Sequence, residues 1–200
     1  MKTAIIIPTV PGNEIVLKRF LDDLDRVLEG RNDYEIIIEL NNWIGFGTAC
    51  NNAIKRALLD SEINSVITTN DDMMINETGD FFLDEMRHLS TKYNGIVVPP
   101  SLFRHNHVAM GFCYFPRKIL EDVGLFDEQF KILEWEDVDL SIRILEKGYT
   151  LNQLSVSTIT HTGDDAAHRR MTPEQIKIVA ENRERFFNKW RGTRWEDAIR

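Results

Sequence analysis

Three short apolar runs, Thr3–Pro8, Tyr34–Leu40 and Ser65–Thr69, alternate with stretches of helical periodicity. Between the first two runs, Leu17, Phe20, Leu21, Leu24, Val27 and Leu28 recur at the spacing of one helix face. Between the second and third, a helix over Thr48–Leu59 places Ala49, Ala53, Ile54, Ala57 and Leu58 on one side. A third helix over Asp80–Leu89 leads to a short strand, Ile96–Val98, ahead of Pro99 and Pro100. Strand–helix–strand repetition of this kind builds a mostly parallel central sheet with helices on both faces, an α/β fold, because parallel neighbours need a crossover between them.

The second half is less regular. Val108–Phe115 reads as a strand, with Pro116 starting the next helix. Gly124–Asp127 reads as a turn, Asp137–Lys147 as a helix stopped by Gly148, and Thr150–Ser157 as a strand. Thr172-Pro173-Glu174-Gln175 carries a cap, a first-turn proline and a capping box. Ile176, Val179, Phe186, Phe187 and Trp190 give that last helix its apolar face. The polar stretch Gly163–Arg170 reads as a mobile loop. A chain of 200 residues suffices for one core.

The formal charge of -8 argues against sequence-independent nucleic-acid binding, which a basic face supplies. No run approaches the roughly 20 apolar residues of a membrane span. The opening run to Pro8 is too short for a signal peptide's core and reads as a strand. Two cysteines, Cys50 and Cys113, read as free apolar residues in a reducing compartment, so a cytoplasmic location is expected.

Candidate chemistry gathers at three places. Asn70-Asp71-Asp72 follows a strand, where open α/β sheets bind ligands. Adjacent carboxylates there need a cation or donors, and oxygen ligands suit Mn2+ or Mg2+ with substrate phosphates; a solvated helix-capping turn is the other reading. Asp137, in Trp135-Glu136-Asp137, sits at a helix start, where it caps the helix or acts as a general base. Asp139 and Arg143, four apart, read as a surface ion pair, and Trp135 as pocket wall or core. His161, after a strand, is a structural residue or a metal ligand. Arg169 and Arg170 suit diphosphate oxygens or simply solubilise a loop. Gly45-Phe46-Gly47 opens a helix, whose N-terminus favours anions.

Taken together, these residues resemble an inverting family-two glycosyltransferase of the GT-A fold, over most of the chain. The segments that match are Ile5-Ile6-Ile7-Pro8-Thr9, Asn42 to Asn51, Asn70-Asp71-Asp72, Gly111-Phe112 with Arg117, Val123 to Glu128, Trp135 to Leu140 with Arg143, and Phe187-Asn188-Lys189-Trp190. The resemblance implies a single domain over 1–200. Its nucleotide-sugar half is 1–98, its acceptor and catalytic half 99–170, and its C-terminal helical segment 172–200. It implies Asp72 and His161 as ligands of Mn2+ or Mg2+, Asp137 as catalytic base and Glu136 orienting the acceptor. Donor contacts are expected from Pro8, Thr9, Val10, Glu39, Asn42, Gly47, Asn51, Asn70, Asp71, Arg169 and Arg170. Acceptor contacts are expected from Gly111, Phe112 and Trp135. The donor would be a nucleoside-diphosphate sugar. The acceptor would be a hydroxyl of a glycan, lipid-linked sugar, protein or modified nucleobase.

The sequence departs from the family pattern twice. Asn70 stands where that family has Asp, and Glu39 is followed almost at once by Gly45, without the usual Ser-rich loop. Two other readings compete. A sugar-phosphate nucleotidyltransferase would need a basic Gly-rich loop, and Thr9-Val10-Pro11-Gly12-Asn13 has no Lys or Arg. A non-catalytic nucleotide-sugar or glycan-binding module would not need the carboxylates and the imidazole together.

Overall fold

A computed structural model of the chain describes residues 2–77, 81–104, 106–163 and 171–198. The first strand, β1 (Lys2–Thr9), is buried along nearly its whole length, as expected for a central strand covered on both faces. It pairs in parallel with β2 (Tyr34–Leu40) on one side and β3 (Ile63–Thr69) on the other. β2 is one of the two edge strands and leaves Ile38 and Leu40 exposed. The six-stranded sheet continues through β6 (Phe112–Pro116) and β5 (Gly95–Val98) to β7 (Thr150–Gln153), in the order β2-β1-β3-β6-β5-β7. β6 runs antiparallel to both its neighbours, whereas β5 and β7 are parallel. A separate antiparallel pair joins β4 (Met73–Ile75) to β8 (Ile159–His161).

The helices are α1 (Glu14–Val27), α2 (Phe46–Ala57), α3 (Phe82–Tyr93), α4 (Arg117–Val123), α5 (Glu136–Glu146), α6 (Pro173–Trp190) and α7 (Trp195–Ala198). The crossover through α1 steps outward from β1 to β2, and that through α2 steps back to β3. Right-handed crossovers therefore put α1 and α2 on opposite faces. Aromatic packing agrees. Phe112 meets Phe20 of α1 and Phe82 of α3 edge-on, at 6.4 and 5.6 Å between centroids. Phe115, three residues on and thus on the other face, meets Phe126, which in turn meets Phe46 of α2.

Three expected boundaries shift. Val108–Phe115 was expected as one strand, but pairing in the sheet starts at Phe112; Val108 bridges Phe103, and the Gly111 carbonyl accepts from the Asn70 amide at 2.8 Å. Thr150–Ser157 divides into β7 and the turn before β8. The third helix runs four residues beyond Leu89, to a left-handed cap at Asn94. Gly95 follows, and it has to be glycine. A Cβ there would lie 2.1 Å from the Thr150 carbonyl of β7.

The main core lies on both sheet faces. A smaller cluster of Phe130, Val138, Ile142 and Phe186, with Trp135, Phe187, Trp190 and Trp195 against it, seats α6 on α5. Thr172 and Gln175 complete the capping box that starts α6. Asp139 and Arg143 do pair, at 2.8 Å, but not on the surface. Asp139 is fully buried and also takes Lys189 Nζ at 2.8 Å and Trp190 Nε1 at 3.0 Å from α6. Cys50 and Cys113 are free and buried. Among the described residues, no helix is long and apolar enough to cross a membrane.

Candidate active site

The sheet's topology fixes where a ligand can sit. The chain leaves the carboxyl end of β1 toward β2 and that of β3 toward β5, on opposite sides, so a crevice opens past the carboxyl ends of these neighbours. A cavity of about 420 Å³ lies there. Pro8 and Val10 reach it from the end of β1, and Asn70, Asp71 and Asp72 from the end of β3.

Asp71 is anchored by its surroundings. Thr9 Oγ1 donates to its Oδ2 at 2.6 Å, and Asn13 Nδ2 donates to the same oxygen at 3.0 Å. Burial raises its carboxyl above the ordinary range and the Asp72 charge adds to this, while the two donors oppose the shift.

Asp72 is placed by the small sheet. Its carbonyl accepts from the Thr162 amide at 3.1 Å and the Thr162 hydroxyl at 2.8 Å, and Met73 pairs with His161 in register. Antiparallel pairing thus carries the imidazole to Asp72, with Nε2 at 2.9 Å from Oδ1. Asn70 Nδ2 lies 3.2 Å from the same ring nitrogen. The second oxygen, Asp72 Oδ2, is buried with no partner among the described residues. A buried carboxylate oxygen without a donor, next to an imidazole, fits a divalent cation of the Mn2+ type. Among the described residues no group of three or more His, Cys, Asp or Glu converges on one point. Such an ion would draw its remaining ligands from water and a phosphate-bearing ligand.

Across the cavity stands the first turn of α5. Asp137 is half-buried, and its Oδ1 accepts from the Val138 amide at 2.7 Å. Burial pushes its carboxyl up to about 6; the amides of Val138, Asp137 and Met110 oppose that, and the Glu134 charge adds to it. Glu136 is pushed well above its ordinary value by burial and then by the Asp137 charge, and its Oε2 has no partner among the described residues. A carboxylate with its proton affinity near neutrality, facing a cavity, can take a proton from a hydroxyl.

The structure brings Pro8, Val10, Asn70, Asp71, Asp72, Gly111, Glu136, Asp137 and His161 to one cavity, with Thr9 behind Asp71. Other candidates lie elsewhere. Phe112 is core between Phe20 and Phe82. Trp135 stacks on Phe186 and Phe187, at 4.8 and 5.5 Å, and does not line the cavity. Asn51 is a buried strut that donates to the Phe126 carbonyl and Glu128 and accepts from the Phe126 amide. Gly47 lets α2 close on Phe126, whose Cβ would sit 2.9 Å from an added methyl. Glu39 pairs with Arg56, and Asn42 is exposed. Arg169 and Arg170 lie outside the described residues.

Several lining residues were not singled out from sequence: Asn13, Trp43, Arg104 and Glu134. Asn13 precedes a helix and looks like an ordinary cap. Trp43 and Glu134 owe their positions to positive φ values of 60° and 72°, which non-glycine residues do not advertise.

By sequence, no known family pattern and no curated protein matches the chain. Solved structures do match by shape. The catalytic domain of Drosophila beta1,4-galactosyltransferase 7, in complex with xylobiose, superposes with a TM-score of 0.67 at 14% identity, over 90% of this chain and 79% of that one. A mutant of the same enzyme, in complex with manganese, UDP-Gal and xylobiose, gives 0.65 at 13%, over 88% and 79%. S. aureus TarS gives 0.60 at 15%, covering 97% of this chain and 44% of TarS. These neighbours are glycosyltransferases of the GT-A type, and the chain has their fold.

Proposed function

We propose that the chain is a glycosyltransferase that moves a sugar from a nucleoside-diphosphate donor to an acceptor hydroxyl with inversion. The observation that carries this is a juxtaposition. Asp137 on α5 and the Asp72–His161 pair between β3 and β8 open into one cavity at the switch point of the sheet.

In this reading Asp137 takes the proton of the acceptor hydroxyl as its oxygen attacks the anomeric carbon, and the bond to the donor diphosphate breaks on the opposite side. One displacement inverts that carbon and requires no nucleophile from the protein. Glu136 orients the acceptor, with its unpartnered Oε2 free to accept from a substrate hydroxyl. Pro8, Val10, Asn70 and Asp71 form the donor side, where Thr9 and Asn13 fix Asp71. Asp72 and His161 would hold Mn2+ or Mg2+, which neutralises charge on the departing diphosphate. Gly111 and the neighbouring Met110 are assigned to the acceptor in this reading. Two buried free thiols suit a reducing, cytoplasmic compartment.

A donor panel tests the reading. UDP-, TDP- and GDP-sugars are incubated with the protein, with and without Mn2+ or Mg2+, and free nucleoside diphosphate is measured. One donor should be turned over slowly, only with metal, and not at all by Asp72→Ala. Metal-independent release, or unchanged release from Asp72→Ala, would refute the assignment.

A further inference from the structure

The approach to α5 is the most contorted backbone in the described chain. Ile132, Glu134 and Trp135 all have positive φ, at 69°, 72° and 74°. The Leu133 amide donates to the Lys131 carbonyl at 2.9 Å, which closes a three-residue turn around Ile132. A turn of this kind with positive φ is the rare, strained form, and it is least favourable for a β-branched residue. Such conformations persist only where surrounding contacts impose them. Ile132, Leu133 and Glu134 line the cavity, and Glu136 and Asp137 follow directly.

Two elements impose the conformation. From α2, the Phe46 amide donates to the Ile132 carbonyl at 2.8 Å. From α6, Asn182 grips the loop from the side away from the cavity. Its Nδ2 donates to the carbonyls of Lys131 at 2.8 Å and Leu133 at 2.9 Å. Its Oδ1 accepts from the Lys131 amide at 3.2 Å and from Arg185 at 2.7 Å. Asn182 is fully buried, so an unused amide group there would be costly. Phe186, one turn further along the same face of α6, holds the Trp135 ring.

We infer that Asn182 is a positioning residue: by gripping the backbone at 131–133 from behind, it sets where Glu134 and Asp137 stand in the cavity. It touches no cavity surface itself, and it acts through the loop. The inference rests on the glycosyl-transfer reading of Asp137.

The test compares Asn182→Asp, Asn182→Ala and the control Val179→Ala, a buried residue of α6 with no bond to the loop among those described. Asn182→Asp keeps size and the acceptor toward Lys131 and Arg185, but removes the donors to the carbonyls of Lys131, Leu133 and Glu134, and so leads the set if the alanine variant folds poorly. Release of nucleoside diphosphate is followed with Mn2+ and whichever sugar nucleotide the unaltered protein turns over. Hydrogen exchange of the Leu133 amide is measured alongside. In Asn182→Asp, kcat should fall tenfold or more, the donor KM should stay within twofold, and Leu133 should exchange at least tenfold faster. Val179→Ala should lower Tm and leave kcat in place. Wild-type kcat in Asn182→Asp, or an equal loss of kcat in Val179→Ala, overturns the inference while leaving glycosyl transfer intact. An unaltered protein inactive on every donor overturns the functional reading, and this inference with it.

Discussion

Burial holds the Asp137 carboxyl up at about 6, whereas an aspartate in an unfolded chain sits near 4. Between those values the folded state binds more protons than the unfolded one, so stability falls as pH rises through that window, and the penalty is complete above it. Asp137→Asn should therefore stabilise the protein at neutral pH by about 1–3 kcal/mol. Urea unfolding at pH 7 checks this, and a destabilised variant would contradict it. The same substitution removes the proposed base, and transfer should drop about 10²- to 10⁴-fold with donor binding retained. In the unaltered protein kcat should decline below pH about 6, where Asp137 takes up its proton. Asp72, Asp137 and His161 could be picked out from sequence because each has a chemically specific side chain at the end of a readable strand or the start of a readable helix. Asn13 and Glu134 could not. One is indistinguishable from a cap, and the other faces the cavity only because its backbone is left-handed.

Helix α6 meets α5 through a carboxylate enclosed by cations. Asp139 takes Arg143, Lys189 and Trp190 together. Its removal leaves the partly buried Arg143 without its carboxylate, while Lys189 keeps Asp127 at 2.6 Å, and Asp139→Ala should cost about 3 kcal/mol. Chemical denaturation measures the loss, and one well under 1 kcal/mol would show that α6 docks by apolar packing alone. At the other edge, Gly95→Ala should push β5 from β7, because the new methyl meets the Thr150 carbonyl. A cost of about 1–3 kcal/mol or more is expected from overpacking there, read as a lowered Tm. Strand and helix order was legible because buried parallel strands are continuous apolar runs and the helices keep their period. The reversed direction of β6 was not, since strand direction comes from pairing with β3 and β5 rather than from its own residues. The Asp139–Arg143 pair was read as a surface contact because helix spacing reveals the partner four residues away, not the helix that later covers both.

For the molecule as a whole, the proposed cation site is one that a ligand would complete. With Asp72 and His161 as its proposed ligands among the described residues, metal alone should bind weakly, and nucleoside diphosphate alone meets the acidic cavity of a chain already at -8. Added together, Mn2+ and nucleoside diphosphate should raise Tm by more than the sum of their separate effects, and Asp72→Ala should abolish that synergy. Additive shifts would count against a site completed by the ligand. Met73 faces His161 across a short ladder whose two strands lie at opposite ends of the sequence's middle stretch. A nascent polypeptide can lay down β1 to β3 with all of the donor-side carboxylates in place and still lack the imidazole. On the proposed reading, a chain that ends before residue 161 lacks one of the two side chains assigned to the cation.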